Sequence, residues 1–247
     1  MSDPNEIKYI KIRVRFSKRG PVRYVGHLDL MRYFQKAIRR AGLDIRYSEG
    51  FSPHQVMSFA SPLSLGAESE AEYFDMDMIS SPSSEEGIAL LNAQMAEGIE
   101  VLSYVRLPDK SKKAMSITAA TDYFIAPGEE MDEVDITQGM LDDMLSRESI
   151  EVVRKTKKGE KTVDIRPLIF EAKAQDGGVF LKLSSSSAAS LNVRLFLETL
   201  FSLNGMDNDP ADYLVTRREV YYDRGDGVLA SLESAGEVLE EPVHMQV

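Results

Sequence analysis

Residues 9–16, YIKIRVRF, set apolar Ile10, Ile12, Val14 and Phe16 against basic Lys11, Arg13 and Arg15 in strict alternation. Only an extended strand sorts such a pattern onto two faces, so the segment reads as a strand with one buried and one cationic side. A turn at SKRGP follows. From His27 to Ala41 the period changes to that of a helix, with Leu30, Met31, Phe34, Ala37, Ile38 and Ala41 on one side and Arg32, Lys36, Arg39 and Arg40 opposite. Gly42 stops that helix.

The alternation continues down the chain. Leu43–Tyr47 reads as a short strand, Tyr47–Gly66 as a loop stiffened by Pro53 and Pro62, and Ala71–Ile79 as another strand. The serines at 80–84 with Glu85 and Glu86 signal a helix start, carried on by Ile88, Leu91 and Met95. Ile99–Leu107 closes the series as a strand. The order β-α-β-β-α-β predicts an α+β, ferredoxin-like domain over 8–108. Beyond a linker at 108–115 the order nearly recurs: strand 117–125, helix 136–146, strands 150–155 and 162–165 about a Lys158-Gly159 turn, a hairpin at Asp176-Gly177-Gly178, helix 189–203 and strand 214–222. This predicts a second, tandem ferredoxin-like domain over 117–223 with an extra hairpin. The acidic stretch 224–247, poor in aromatics, reads as a mobile tail.

Composition removes several classes of function. Without cysteine the chain of 247 residues has no disulfide, thiolate nucleophile or zinc ribbon, and no thiolate-held iron–sulfur cluster. Its apolar runs fall far short of the roughly 20 residues that span a bilayer, and MSDPNEIK carries no signal peptide, so a cytoplasmic protein is expected. Phosphate-loop, dinucleotide, HExxH and GxSxG signatures are missing, and the three histidines lack ligand spacing. No cofactor and no metal are expected.

The net charge of −11 conceals segregation: residues 8–60 hold twelve Lys and Arg against three acids, and residues 61–150 hold five against nineteen. The first block makes a docking face for an anion such as RNA phosphate. Its candidate contacts are Arg13, Arg15, Arg23, Arg32, Arg39, Arg40 and Arg46, with His27 and His54 as polar contacts and Phe51 and Phe59 as loop anchors or stacking rings. His27, at the start of the basic helix, is the one candidate catalytic group, a general base, against a structural role in tying down the preceding turn. The serines at 184–187 are placed to cap a helix or hold a phosphate. In Asp164-Ile165-Arg166-Pro167 the acid and base share a face and suit an internal ion pair.

In the run RFSKRGPVRYVGHLDLMRYFQKAIRRAGLDIRYSEGFSPHQVMSFASPLSLG, GHLDLM, RYSEGFSPH and PLSLG, together with the later DIRP, resemble the radical-SAM-linked protein family. The resemblance reaches to about Asp223 and implies a radical SAM enzyme as partner. A radical SAM enzyme holds its cluster with three thiolates, so this chain can only assist one. A more distant likeness is to the repeat-RNA-processing endonucleases of CRISPR systems, which implies His27 as a general base against an RNA 2′-hydroxyl. The chain departs from them in having no glycine-rich loop between its last helix and last strand. The leading expectation is therefore an accessory RNA-binding protein for tRNA or rRNA. Protein–protein docking on a radical SAM enzyme without RNA, and a metal-independent ribonuclease using His27, are the alternatives, and no membrane partner is expected.

Overall fold

The computed structural model describes residues 9–156, 159–225 and 227–245. Among these residues the chain is mixed α+β, with fourteen strands and five α-helices. It divides into two compact units. One holds the described residues up to Leu65, Ser69–Thr118 and those from Tyr222 onward; the other holds Gly66–Glu68 and Ala119–Tyr221.

The first unit runs β1 (Ile10–Lys18), α1 (His27–Arg40), β2 (Met57–Phe59), β3 (Glu68–Met78), β4 (Ser80–Ser81), α2 (Ser84–Asn92), β5 (Ile99–Arg106) and α3 (Ala114–Ile117). β1 is central and antiparallel to both β3 and β5, and β2 lies antiparallel along β3. Ile12, Val14 and Phe16 turn to the side carrying α1, whose Leu30, Phe34 and Ile38 close the core. Phe16, Phe34, Phe59 and Phe74 meet there at centroid separations of 4.6–6.1 Å, in the tilted and edge-on arrangements aromatic quadrupoles favour. α1 ends where Gly42 takes φ +69°, open to glycine without strain. α2 starts where Ser83 Oγ accepts the Glu86 N–H.

Two local expectations are corrected here. Leu43–Tyr47 forms only isolated bridges, Ile45 to Met78 and Tyr47 to Gln55, while the strand along β3 is Met57–Phe59, inside the expected loop. Three residues are too few for a two-residue period to show. The expected linker is also more than a connector: Ala114 is buried, and its N–H donates to Asp75 Oδ2 at 2.7 Å.

The second unit runs β6 (Thr118–Pro127), α4 (Gln138–Leu145), β7 (Glu151–Thr156), β8 (Gly159–Asp164), β9 (Ile169–Gln175), β10 (Gly178–Ser184), α5 (Val193–Asn204) and β11 (Tyr213–Asp223). The strand order is β11-β6-β10-β9, with β10 antiparallel to both β6 and β9. Its core joins Ile125, Leu181 and Leu183 to Leu141 of α4 and to Phe196, Leu197 and Leu200 of α5. The Asp176 turn links β9 to β10 within this sheet. The additional hairpin is β7–β8, a separate two-stranded ladder; Lys158 of its expected turn lies outside the described residues. At its base Asp164 Oδ1 accepts the Ile150 and Arg166 N–H groups, and these bonds hold its carboxyl below the usual range. The Arg166 guanidinium goes instead to the Leu145 and Ile169 carbonyls.

The stretch expected to be a mobile tail carries β12 (Leu229–Ser231), β13 (Glu237–Val238) and β14 (Val243–His244). β13 pairs with β5 and β14 with β4. Leu232 and Leu239 are buried, and the Leu239 N–H donates to Ser84 Oγ while its carbonyl accepts the Ser84 N–H. Two leucines seven residues apart anchor a segment whose composition alone reads as solvated.

Candidate docking surface on the first unit

Because Ile12 and Val14 face α1, Arg13 and Arg15 point to the opposite side of the sheet. That side is covered. Arg13 is 1% exposed; its Nε and Nη2 donate to both oxygens of Asp75, directly across the ladder on β3, and its Nη1 donates to the Leu232 carbonyl. Each guanidinium nitrogen is engaged and the side chain is buried, so Arg13 is not open to a phosphate. Arg15 Nη1 donates to Glu233 and its Nε to the Glu70 carbonyl. The expected convergence of strand and helix cations into one field is corrected by this geometry: the two sets lie on opposite faces, and the strand set is neutralised by β3 and by the tail.

Two other candidates are also engaged. Arg46 contacts Asp77 at 3.3 Å and stacks over Tyr9 at 3.9 Å, and Arg23 lies over Tyr24 at 4.9 Å. The remaining candidates gather on the outer face of α1. Leu28, Arg32, Lys36 and Arg39 follow at spacings of four, four and three, which places them on one ridge. Arg32 makes an exposed contact of 3.3 Å with Asp29. Lys36 and Arg39 are exposed, and no described residue forms an ion pair with them. Arg40 reaches the neutral Gln94, and no described residue forms an ion pair with it. Leu28, 60% exposed, stands at the N-terminal end of the ridge, and Tyr24, 63% exposed, belongs to the 3-10 turn that precedes the helix. Sequence reasoning left Lys36, Leu28 and Tyr24 out of the site, although the spacing of Leu28 from Arg32 already placed it there.

The Tyr47–Gly66 loop leans on the same helix. Gln55 Nε2 donates to the Gln35 carbonyl of α1, and Ser48 and His54 bond to each other through side chain and backbone. Phe51 projects fully exposed from that tethered loop, whereas Phe59 is in the core. His27 packs its ring edge-on to Phe59 at 5.4 Å, and no described residue hydrogen-bonds the imidazole. A general base is oriented by a partner on its second nitrogen; Asp29, the nearest acid in sequence, is on Arg32. The serines at 184–187 do not cap a helix, since Ser184 and Ser186 bond to Ala189 and the cap of α5 is Asn192.

The family described as "uncharacterized protein conserved in bacteria" (DUF2344) matches residues 11–195, the greater part of both units. The chain belongs to the DUF2344 family. The match includes α1, the tethered loop and Asp75, and it stops before β11 and the strap formed by residues 229–244. No curated protein matches the chain. Among the described residues no group of three or more histidines or acids is placed to hold a metal, and no helix is long and apolar enough to cross a membrane.

One acid of the second unit is set apart by burial. Asp122 of β6 accepts the Tyr221 hydroxyl at 2.7 Å and lies 3.6 Å from Lys182, which itself sits over the Tyr221 ring at 4.8 Å. Burial raises the Asp122 carboxyl above its ordinary value of 3.8, and the Tyr221 bond and Lys182 charge offset this only in part. With its folded-state value above the unfolded one, the group favours folding most below 3.8 and loses that contribution as pH rises through the folded value. Asp122→Asn should therefore gain about 2–4 °C in Tm at neutral pH, roughly 1 kcal/mol for a chain of this size. In acid the gain should vanish. Thermal melts across that pH range check the result; a difference independent of pH contradicts it.

Proposed function

We propose that the chain is an accessory, non-catalytic module that docks through the outer ridge of α1 onto an acidic surface of a radical SAM enzyme. The partner class comes from the resemblance in GHLDLM, RYSEGFSPH and PLSLG. The observation that carries the reading is the ridge itself, three cations in line with an exposed leucine, on a helix preceded in the chain by an exposed tyrosine. Protein interfaces combine such aromatic and arginine anchors with a charged rim that speeds encounter. Holding RNA takes several phosphate contacts along a tracked backbone. The β1 arginines, which were expected to join the ridge in one field, lie on the opposite side of the sheet and are bound to Asp75 and Glu233. The strand order β5-β1-β3 with β2 along β3, and β11-β6-β10-β9 in the second unit, supports two ferredoxin-like folds with β7–β8 as an insertion.

Co-expression with a tagged radical SAM enzyme of the same organism, followed by nuclease treatment and affinity capture, tests the reading. Co-elution is expected at low salt, with loss of at least about tenfold in affinity for Arg32→Glu combined with Arg39→Glu at unchanged Tm. Undiminished co-elution of that variant overturns the reading. Salt-steep binding to bulk tRNA, lost in the same variant, replaces it with the RNA-binding one.

A further inference from the structure

We propose that the sheet face of the second unit turned away from α4 and α5 is a stacking platform for single-stranded nucleic acid, with Phe124 and Phe180 as its two rings. The site lies wholly in the second unit and does not depend on the α1 ridge.

The face follows from alternation. Tyr123 and Ile125 of β6 and Val179 and Leu181 of β10 pack into the core with α4 and α5, so Phe124 and Phe180 turn to the other side. β6 and β10 are the two inner strands of β11-β6-β10-β9, and their register sets Phe124 directly opposite Phe180. Side chains paired in this way have Cβ atoms about 4.5–5.5 Å apart, which joins the two rings in one surface. Both stay partly exposed. Gly178, two residues before Phe180 on the same face, decides how the first ring lies. A Cβ at Gly178 would come within 2.9 Å of Phe124 Cζ, so the ring leans across β10 over the bare glycine and turns a face, not its edge, to solvent.

Cations close the row at each end. Lys173 of β9 stands opposite Phe180, is exposed, and no described residue forms an ion pair with it. Arg218 of β11, also exposed, holds its guanidinium over the Phe124 ring at 5.2 Å and extends the stacking surface. No acid stands in this row. The next row along the strands is Glu171, Lys182 and Asp122, with Asp122 held by the Tyr221 hydroxyl and by Lys182. Those two are the only acids of β6, β9 and β10; on β11, Glu219 and Asp223 turn back onto the Val220 and Gly225 N–H groups.

Flat apolar rings flanked by cations match a ligand that is planar at repeated points and anionic between them. Single-stranded RNA or DNA has that form, and each base stacked on an aromatic ring adds affinity whatever its identity. Four-stranded RNA-binding sheets stack two or three bases on rings of this kind. A duplex does not fit, because its base faces are already stacked on one another.

The test is fluorescence anisotropy of the full chain with a labelled single-stranded octanucleotide, as ribose and as deoxyribose, and with the corresponding duplex. Saturable binding of a single strand is expected, with the duplex at least about tenfold weaker. The tighter of the two single strands identifies the polymer. Phe124→Leu combined with Phe180→Leu keeps the apolar surface and removes the flat rings, so affinity should fall by at least about tenfold. Lys173→Gln, which leaves the rings alone, should weaken binding and flatten its dependence on salt, and it keeps the comparison valid if the leucine variant misfolds. Arg32→Glu combined with Arg39→Glu should leave binding unchanged. No saturation by about 1 mM strand, the weak limit of specific association, overturns the proposal. So does unchanged affinity in the folded leucine variant, a duplex that binds as well as the single strand, or loss of binding in the α1 variant.

Discussion

Asp75→Ala should cost the fold about 3–5 kcal/mol in urea unfolding, the penalty for leaving one partner of a buried ion pair without the other. Arg13 would keep its charge at 1% exposure with only the Leu232 carbonyl for company, and the Ala114 N–H would lose its acceptor as well. Three segments distant in sequence, β1, α3 and the strap, depend on that one carboxylate. The double variant Arg13→Met with Asp75→Leu should recover most of the loss, because an apolar pair of similar volume needs no desolvation of charge. A single variant within about 1 kcal/mol of the native chain would show that water reaches the pair.

Ending the chain after Asp223 should have a comparable effect. Leu232 and Leu239 contribute about 1.5–3 kcal/mol each through burial, hence roughly 3–6 kcal/mol together. Removal also takes Glu233 from Arg15 and β13 from the edge of β5. The truncated protein should melt at lower temperature and self-associate in size-exclusion chromatography, because an uncovered strand edge recruits another. An unchanged Tm with a monomeric profile would mean that the strap adds nothing to the first unit.

Much of the first unit was legible from periodicity. Strands 9–16, 71–79 and 99–107 and helix 27–41 fall close to β1, β3, β5 and α1, since each has enough residues for its period to emerge. Alternation also says that Arg13 faces away from Ile12. It cannot say what lies over Arg13, because the partners Asp75 and Leu232 are 62 and 219 residues away and their pairing is set by register and tertiary packing. The second unit shows the same limit: 150–155 and 162–165 read correctly as strands, but no local pattern distinguishes a hairpin that pairs with itself from two strands of a larger sheet. Charge counting had a similar blind spot, for it gave twelve cations in one block without showing that the ladder and strap would take up the strand-borne ones.

The division of the chain also bears on how it is made. Residues 119–221 are continuous, so the second unit can close as soon as they leave the ribosome. The first unit, begun earliest, waits for residues 229–244 before its sheet edge and buried guanidinium are complete. Synthesis therefore runs against assembly: the part translated first is finished last, and during the interval it is the part most in need of a chaperone.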